Sequence, residues 1–201
     1  MAKGVAMANR TVALTSVSLP EFGLPQSEPM VGKEEYETRI GVARSRAAVA
    51  GFDVLAVYGD REHFANLAYL TGHDPRFEEA LLVVDCAGGV PALILGNEGL
   101  GYSELSPVDL ERKLYQGFSL PGQDRSASPR LDVVLRACGI GRGDRVGLVG
   151  WKYATAAETS DPDHWFDVPA FIVEALVEVV GDRTRVVNVT PMFINPVDGL
   201  R

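Results

Sequence analysis

Apolar residues along this chain fall into short runs between turn-forming clusters, and the runs alternate between two periods. From Lys33 onward, Tyr36, Ile40, Ala43 and Ala47 recur at helical spacing, Glu34, Glu35 and Glu37 crowd the positive end, and Gly51 supplies a stop. That pattern predicts an amphipathic helix. "DVLAVYG" (53–59) follows as a short buried strand, and "REHFANLAYL" (61–70) reads as a helix ending at Gly72. Two apolar runs, "ALLVVD" and "PALILG", flank "CAGG" and predict a β-hairpin. Further strands are expected at 113–118, 145–150 and 185–189. A helix opened by Ser128 and Pro129 and closed by Gly139, and another from Val168 to Val180 closed by Gly181, lie between them.

Strands joined by helices favour parallel neighbours, whereas the hairpin forces an antiparallel pair. The expected fold is therefore α/β, a three-layer αβα domain with a mixed, mostly parallel sheet. One such domain spans 33–195. Residues 1–32, broken by Pro20, Pro25 and Pro29, read as an extended arm, and "PVDGLR" (196–201) reads as the start of a linker to a further domain.

Composition narrows the partners. Of 201 residues, 27 are acidic and 19 basic, for a net charge of −8, which repels phosphate backbones and argues against nucleic acid. No apolar run approaches the roughly 20 residues a membrane span requires. Two cysteines, Cys86 and Cys138, are too few for a disulfide framework and fit a reducing, cytoplasmic setting.

Motifs of known chemistry are weak. "GIGRGDRVG" (139–147) precedes its strand, whereas a dinucleotide fingerprint follows one and opens a helix. "GNEGLGYS" (96–103) lacks the phosphate-loop Lys, and no G-x-S-x-G elbow occurs. His63, His73 and His164 are far apart and have no metal-ligand spacing. Trp151, Lys152 and Tyr153 leave a strand where open α/β sheets tend to bind ligands, although a Trp at such a point more often anchors packing.

The order of a helix, "GFDVLAVYGDREHFANLAYLTGHDPRFEEALLVV", a hairpin, "GNEG", "RVGLVGWKY" and the "DVPAFIVEAL" helix resembles the amino-terminal domain of the creatinase, prolidase and aminopeptidase P family. "DREHFANLAYLTG" is its most characteristic tract, and the resemblance covers about residues 33–201. It implies a creatinase/prolidase N-terminal, ribonuclease-H-like fold. It further implies a separate carboxy-terminal pita-bread domain, in which two divalent metal ions (Mn, Co or Zn) are held by two Asp, one His and two Glu and activate water against the bond before proline. None of those ligand motifs is present in this chain. Asp85 in "VVDCAGG" has Gly96 where a second metal Asp would stand, so no cofactor is expected here.

The resemblance also implies a homodimer in which this domain caps the substrate cleft of the partner subunit. His73, Arg76, Phe77 and Glu78 of "HDPRFEE" are then expected to border a proline-containing peptide or similar substrate. Arg76 would meet a carboxylate, Phe77 an apolar side chain, and His73 or Glu78 an amino end. The plainer reading has Pro75 stiffening the loop, Arg76 pairing with Glu78 or Glu79, and Phe77 packing inward. The alternative function is an independent module holding a small ligand near Asp60, Asn97 and Trp151.

Overall fold

The computed structural model describes residues 13–24, 27 and 30–201. The chain divides into two units, residues 1–30 and 31–201. In the first, residues 13–24 have no regular secondary structure and are solvent-exposed, Leu14, Leu19 and Phe22 included. The rest of the expected arm up to residue 30 lies outside the described residues, except residues 27 and 30.

In the second unit the expected alternation is realised. Helix α1 (Lys33–Val49) leads to β1 (Val54–Gly59), α2 (Ala65–Thr71), the hairpin strands β2 (Ala80–Asp85) and β3 (Ala92–Leu95), α3 (Asn97–Tyr102) and β4 (Glu111–Leu114). Helix α4 (Leu131–Ala137), β5 (Val146–Val149), α5 (Ala170–Val180), β6 (Val186–Asn188) and α6 (Pro191–Ile194) complete it. The six strands form one sheet in the order β4-β3-β2-β1-β5-β6. Three of the five pairings are parallel and the two involving β2 are antiparallel, so β2 alone runs against the other five.

Period-two alternation divides each central strand between two cores. Leu55 and Val57 of β1 face the α1 and α2 side with Leu82, Leu93, Ile40, Ala43 and Leu70. Ala56 and Tyr58 face the α4 and α5 side with Leu81, Ile94, Leu135, Ile172 and Leu176. The strands between β3 and β6 are buried on both faces, hence their unbroken apolar runs. Edge strand β4 instead carries Glu111, Arg112 and Lys113, charges that discourage pairing with another chain.

Several boundaries differ from expectation, and at residues 60–63 and 116 a polar side chain captures the backbone. Helix α2 begins at Ala65, not Arg61, because the Asp60 carboxylate accepts from the Glu62 and His63 amides, both at 2.8 Å, and makes a turn there. Strand β4 ends at Leu114, and Gln116–Phe118 form a 3-10 turn. Ser128 accepts from the Gln116 amide at 2.7 Å and does not cap α4, which starts at Leu131. Helices α3 and α6 were not expected. Gly72 and Gly181 adopt left-handed φ of 67° and 83°, the helix stops the sequence implied.

Candidate functional site

Because five strands run the same way, their carboxyl ends and the start of β2 share one edge of the sheet. Here the segments 60–64, 72–79, 96–102, 115–128 and 150–168 gather, the position at which open α/β sheets bind ligands. Their shape rests on buried polar side chains. Asn66 donates to the Gly150 carbonyl at 2.7 Å, and Thr190 Oγ accepts from the Gly150 amide at 2.9 Å. The Asp167 carboxylate accepts from the Trp151 and Lys152 amides at 2.7 and 2.9 Å. Residue 150 has to be glycine, since a Cβ there would stand 2.0 Å from Asp167 Oδ1.

The "HDPRFEE" loop is pinned in the same manner. Glu78 is buried, and its two oxygens accept from the Gly99 and Glu98 amides at 2.8 and 3.2 Å, tying the loop to α3. Close packing follows, because a Cβ on Gly96 would lie 2.5 Å from Glu78 Oε2. His73 is also buried, with its ring 5.8 Å from that of Tyr102 and both ring nitrogens without a partner. Burial pushes its pKa down to about 4, with the Arg112 guanidinium acting in the same direction and Asp74 opposing.

Arg76 and Phe77 behave differently. Asp74 accepts from the Arg76 amide at 2.8 Å and holds that residue at φ 60°, a backbone region non-glycine residues seldom adopt. The Arg76 guanidinium lies 5.7 Å over the Tyr102 ring instead of pairing with Glu78 or Glu79. Phe77 is 49% exposed, so it does not pack inward. The loop thus presents one cation and one aromatic ring outward, and keeps His73 and Glu78 beneath.

Beside Phe77, a cleft of about 380 Å³ is lined by Tyr58, Asp60, Glu79, Ser119 and Arg125 among others. The sequence did not single out Tyr58 or Glu79, because period-two alternation assigns Tyr58 to the core and a lone Glu before a strand is ordinary. The Tyr58 hydroxyl donates to Glu79 Oε1 at 2.6 Å. Burial raises the Glu79 pKa and nearby Asp60 adds to this, against the Tyr58 hydrogen bond and Arg125. Burial pushes Asp60 upward too, but the Glu62 and His63 amides and the His63 ring outweigh it, and its pKa is lowered. Two carboxylates in one cleft are therefore driven apart, one toward holding a proton and one toward staying ionised. The His63 ring stacks on Trp151 at 4.0 Å, and Lys152 covers the same indole at 4.4 Å.

Asn97 is occupied structurally. It donates to Gln123 and the Asp124 carbonyl and accepts from Gln116, and Asp60 and Trp151 of the same trio are likewise engaged, by the Glu62 and His63 amides and by the His63 ring. Both cysteines are free and partly buried, and burial pushes the Cys138 thiol up to about 11, well away from nucleophile chemistry. Among the described residues no group of three or more His, Cys, Asp or Glu is placed to hold a metal ion, and no helix is long and apolar enough to cross a membrane.

No family model and no curated protein matches the sequence. Solved structures do match. Dipeptidase PepE from Mycobacterium ulcerans superposes with a TM-score of 0.50 at 19% identity, over 82% of this chain and 36% of that one. The creatinase/prolidase N-terminal domain of an X-Pro dipeptidase from Streptococcus pyogenes aligns over 77% of this chain and 95% of its own, at 12% identity and a TM-score of 0.47. The prolidase from Pyrococcus horikoshii aligns over 75% and 31%, at 12% identity and a TM-score of 0.43. At such identities the likeness is one of fold alone. This chain spans about a third of the length of the PepE and Pyrococcus chains.

Proposed function

We propose that this chain is the non-catalytic N-terminal domain of a Xaa-Pro peptidase or creatinase-like hydrolase, contributing to dimerisation and to the cap over the substrate cleft. The observation that carries this reading is the pinned loop that turns Arg76 and Phe77 outward at the carboxyl edge of the sheet. A guanidinium and a ring held this way lose little conformational freedom on meeting a peptide, which is what a cleft wall requires. His73 and Glu78 border the same substrate from beneath and fix the loop. Chemistry belongs to a carboxy-terminal pita-bread domain with two divalent metal ions (Mn, Co or Zn), and the setting is cytoplasmic.

The test uses the parent protein with its carboxy-terminal domain and a proline-containing dipeptide as substrate. Arg76→Ala is expected to raise KM about tenfold with kcat nearly unchanged, the signature of lost uniform binding and a difference of about 1.4 kcal/mol. Unchanged kcat and KM would overturn the substrate role of the loop.

A further inference from the structure

In the same carboxyl-edge segment 150–168, but apart from the cleft beside Phe77, a second cavity of about 260 Å³ lies between α5 and residues 164–166. Trp165, Phe166 and Val173 give it an apolar floor, and His164, Glu174 and Arg183 line it with charge-bearing groups. The buried Asn188 at the end of β6 fixes the floor by donating to the Trp165 carbonyl at 2.6 Å.

The state of the surrounding charges sets this cavity apart. Glu178 is taken by Arg130 at 2.9 Å, Asp182 accepts from Thr184, and Arg185 donates to the Gly143 carbonyl. The Glu174 and Arg183 side chains have neither an ion pair nor a hydrogen bond among the described residues, although they line the same space. Asp161 accepts from His164 Nδ1 at 2.8 Å, which fixes the ring tautomer, and the buried Nε2 is left as an acceptor without a partner. Among the described residues that line the cavity, a cation and an anion without ion pairs and an orphan nitrogen stand with Trp165 and Phe166, and Lys152 lies 5.8 Å over the Trp165 ring, a set that matches a ligand with both charges and an apolar body.

We propose that this groove binds a free α-amino acid with an apolar side chain. Arg183 takes the carboxylate, Glu174 and His164 Nε2 take the ammonium, and Trp165 and Phe166 cover the side chain. Both charged residues are exposed, so each ion pair contributes modestly and affinity is set by the aromatic contact together with the two charges. A Kd on the order of 1 mM is expected.

The full chain carries two tryptophans, Trp151 and Trp165, and hence two indole N–H signals in a nitrogen-15 NMR spectrum, assigned with Trp151→Phe. Titration with L-leucine is expected to move the Trp165 signal saturably and leave that of Trp151 in place. Leucinamide, without the carboxylate, and 4-methylpentanoate, without the amine, are each expected to bind about tenfold more weakly. Arg183→Ala should erase the difference between leucine and leucinamide, and Glu174→Gln the difference between leucine and 4-methylpentanoate. No saturable shift at tens of millimolar, or equal binding of all three compounds, would overturn the proposal. These readouts need no hydrolytic activity, so they stand or fall apart from the reading of the parent enzyme.

Discussion

The two ends of the central sheet are built on opposite principles. At the amino end of β1 and β5, solvent-exposed hydrogen bonds tie turns to each other. Asp53 accepts from the Arg145 amide at 2.8 Å, Arg145 donates to the Ala50 carbonyl at 2.9 Å, and Arg44 reaches the Asp85 and Gly89 carbonyls of the hairpin. At the carboxyl end the same task falls to buried groups, Asn66, Glu78, Gln116 and Thr190, and the exposed side chains Arg76, Phe77 and Trp151 are left over. A buried hydrogen bond costs more to break than an exposed one, so the carboxyl end is fixed in shape while its outer groups remain available. The amino end is structural closure and the carboxyl end is a presented surface.

That contrast breaks most sharply at Gly150. A methyl group there meets the carboxylate that organises the 150–168 segment, and the Trp151 and Lys152 amides lose their acceptor. Gly150→Ala is expected to cost about 2 kcal/mol, chiefly overpacking against the Asp167 carboxylate, since the Trp151 and Lys152 amides face solvent and can bond water instead. Urea unfolding measures it. A loss within a few tenths of wild type would mean that Asp167 is replaceable and this end no more rigid than the other.

Acid should separate the ends next. The neutral, buried His73 has a pKa of about 4 against 6.5 in the unfolded chain. Below 6.5 the unfolded state therefore binds the extra proton, and stability falls with pH until the folded pKa is reached. Between pH 7 and pH 5 the loss is about 2 kcal/mol. Asp60 and Asp132 are lowered from 3.8 and lose their contribution below this window, while Glu79, being raised from 4.5, opposes the loss, so the histidine's share is read from the difference between wild type and a His73 variant. Urea midpoints at the two pH values, with His73→Gln as comparison, should show a slope in wild type and a flatter one in the variant. Equal slopes would remove His73 from the account.

The same contrast explains which features were legible in the sequence. Apolar period and glycine stops are properties of neighbouring residues, so α1, β1, the hairpin, β5 and α5 could be read directly, and with them the layered fold. The carboxyl-end surface depends on contacts far apart in the chain. Asn66 holds residue 150, Glu78 holds residues 98 and 99, and Gln116 is held by Ser128. Ser128 therefore looked like a helix cap when it was a loop brace. Likewise "HDPRFEE" reads as four equivalent polar or aromatic candidates, because nothing local says that Glu78 turns inward to α3 and Arg76 does not. Tyr58 and Glu79 were missed for a related reason, since their hydrogen bond joins β1 to the residue just before its antiparallel neighbour β2, at a register only the pairing supplies.

The smallest expected effect lies at the amino end and sharpens the comparison from its other side. Arg145 donates to Ala50 and covers the Phe52 ring at 4.3 Å, two interactions made in contact with solvent. Arg145→Ala keeps the backbone bond from residue 145 to Asp53, because that bond belongs to the amide and not to the guanidinium. Water replaces the lost donor at the Ala50 carbonyl, so the expected cost is about 1 kcal/mol or less, mostly lost packing on Phe52. Hydrogen exchange gives the finer reading. Protection should fall around residues 50–53 and stay unchanged at residues 72–79 and 150–152. A loss that spreads to the carboxyl end would mean the two ends are energetically one unit, and the difference between closure and presentation would then be one of exposure alone.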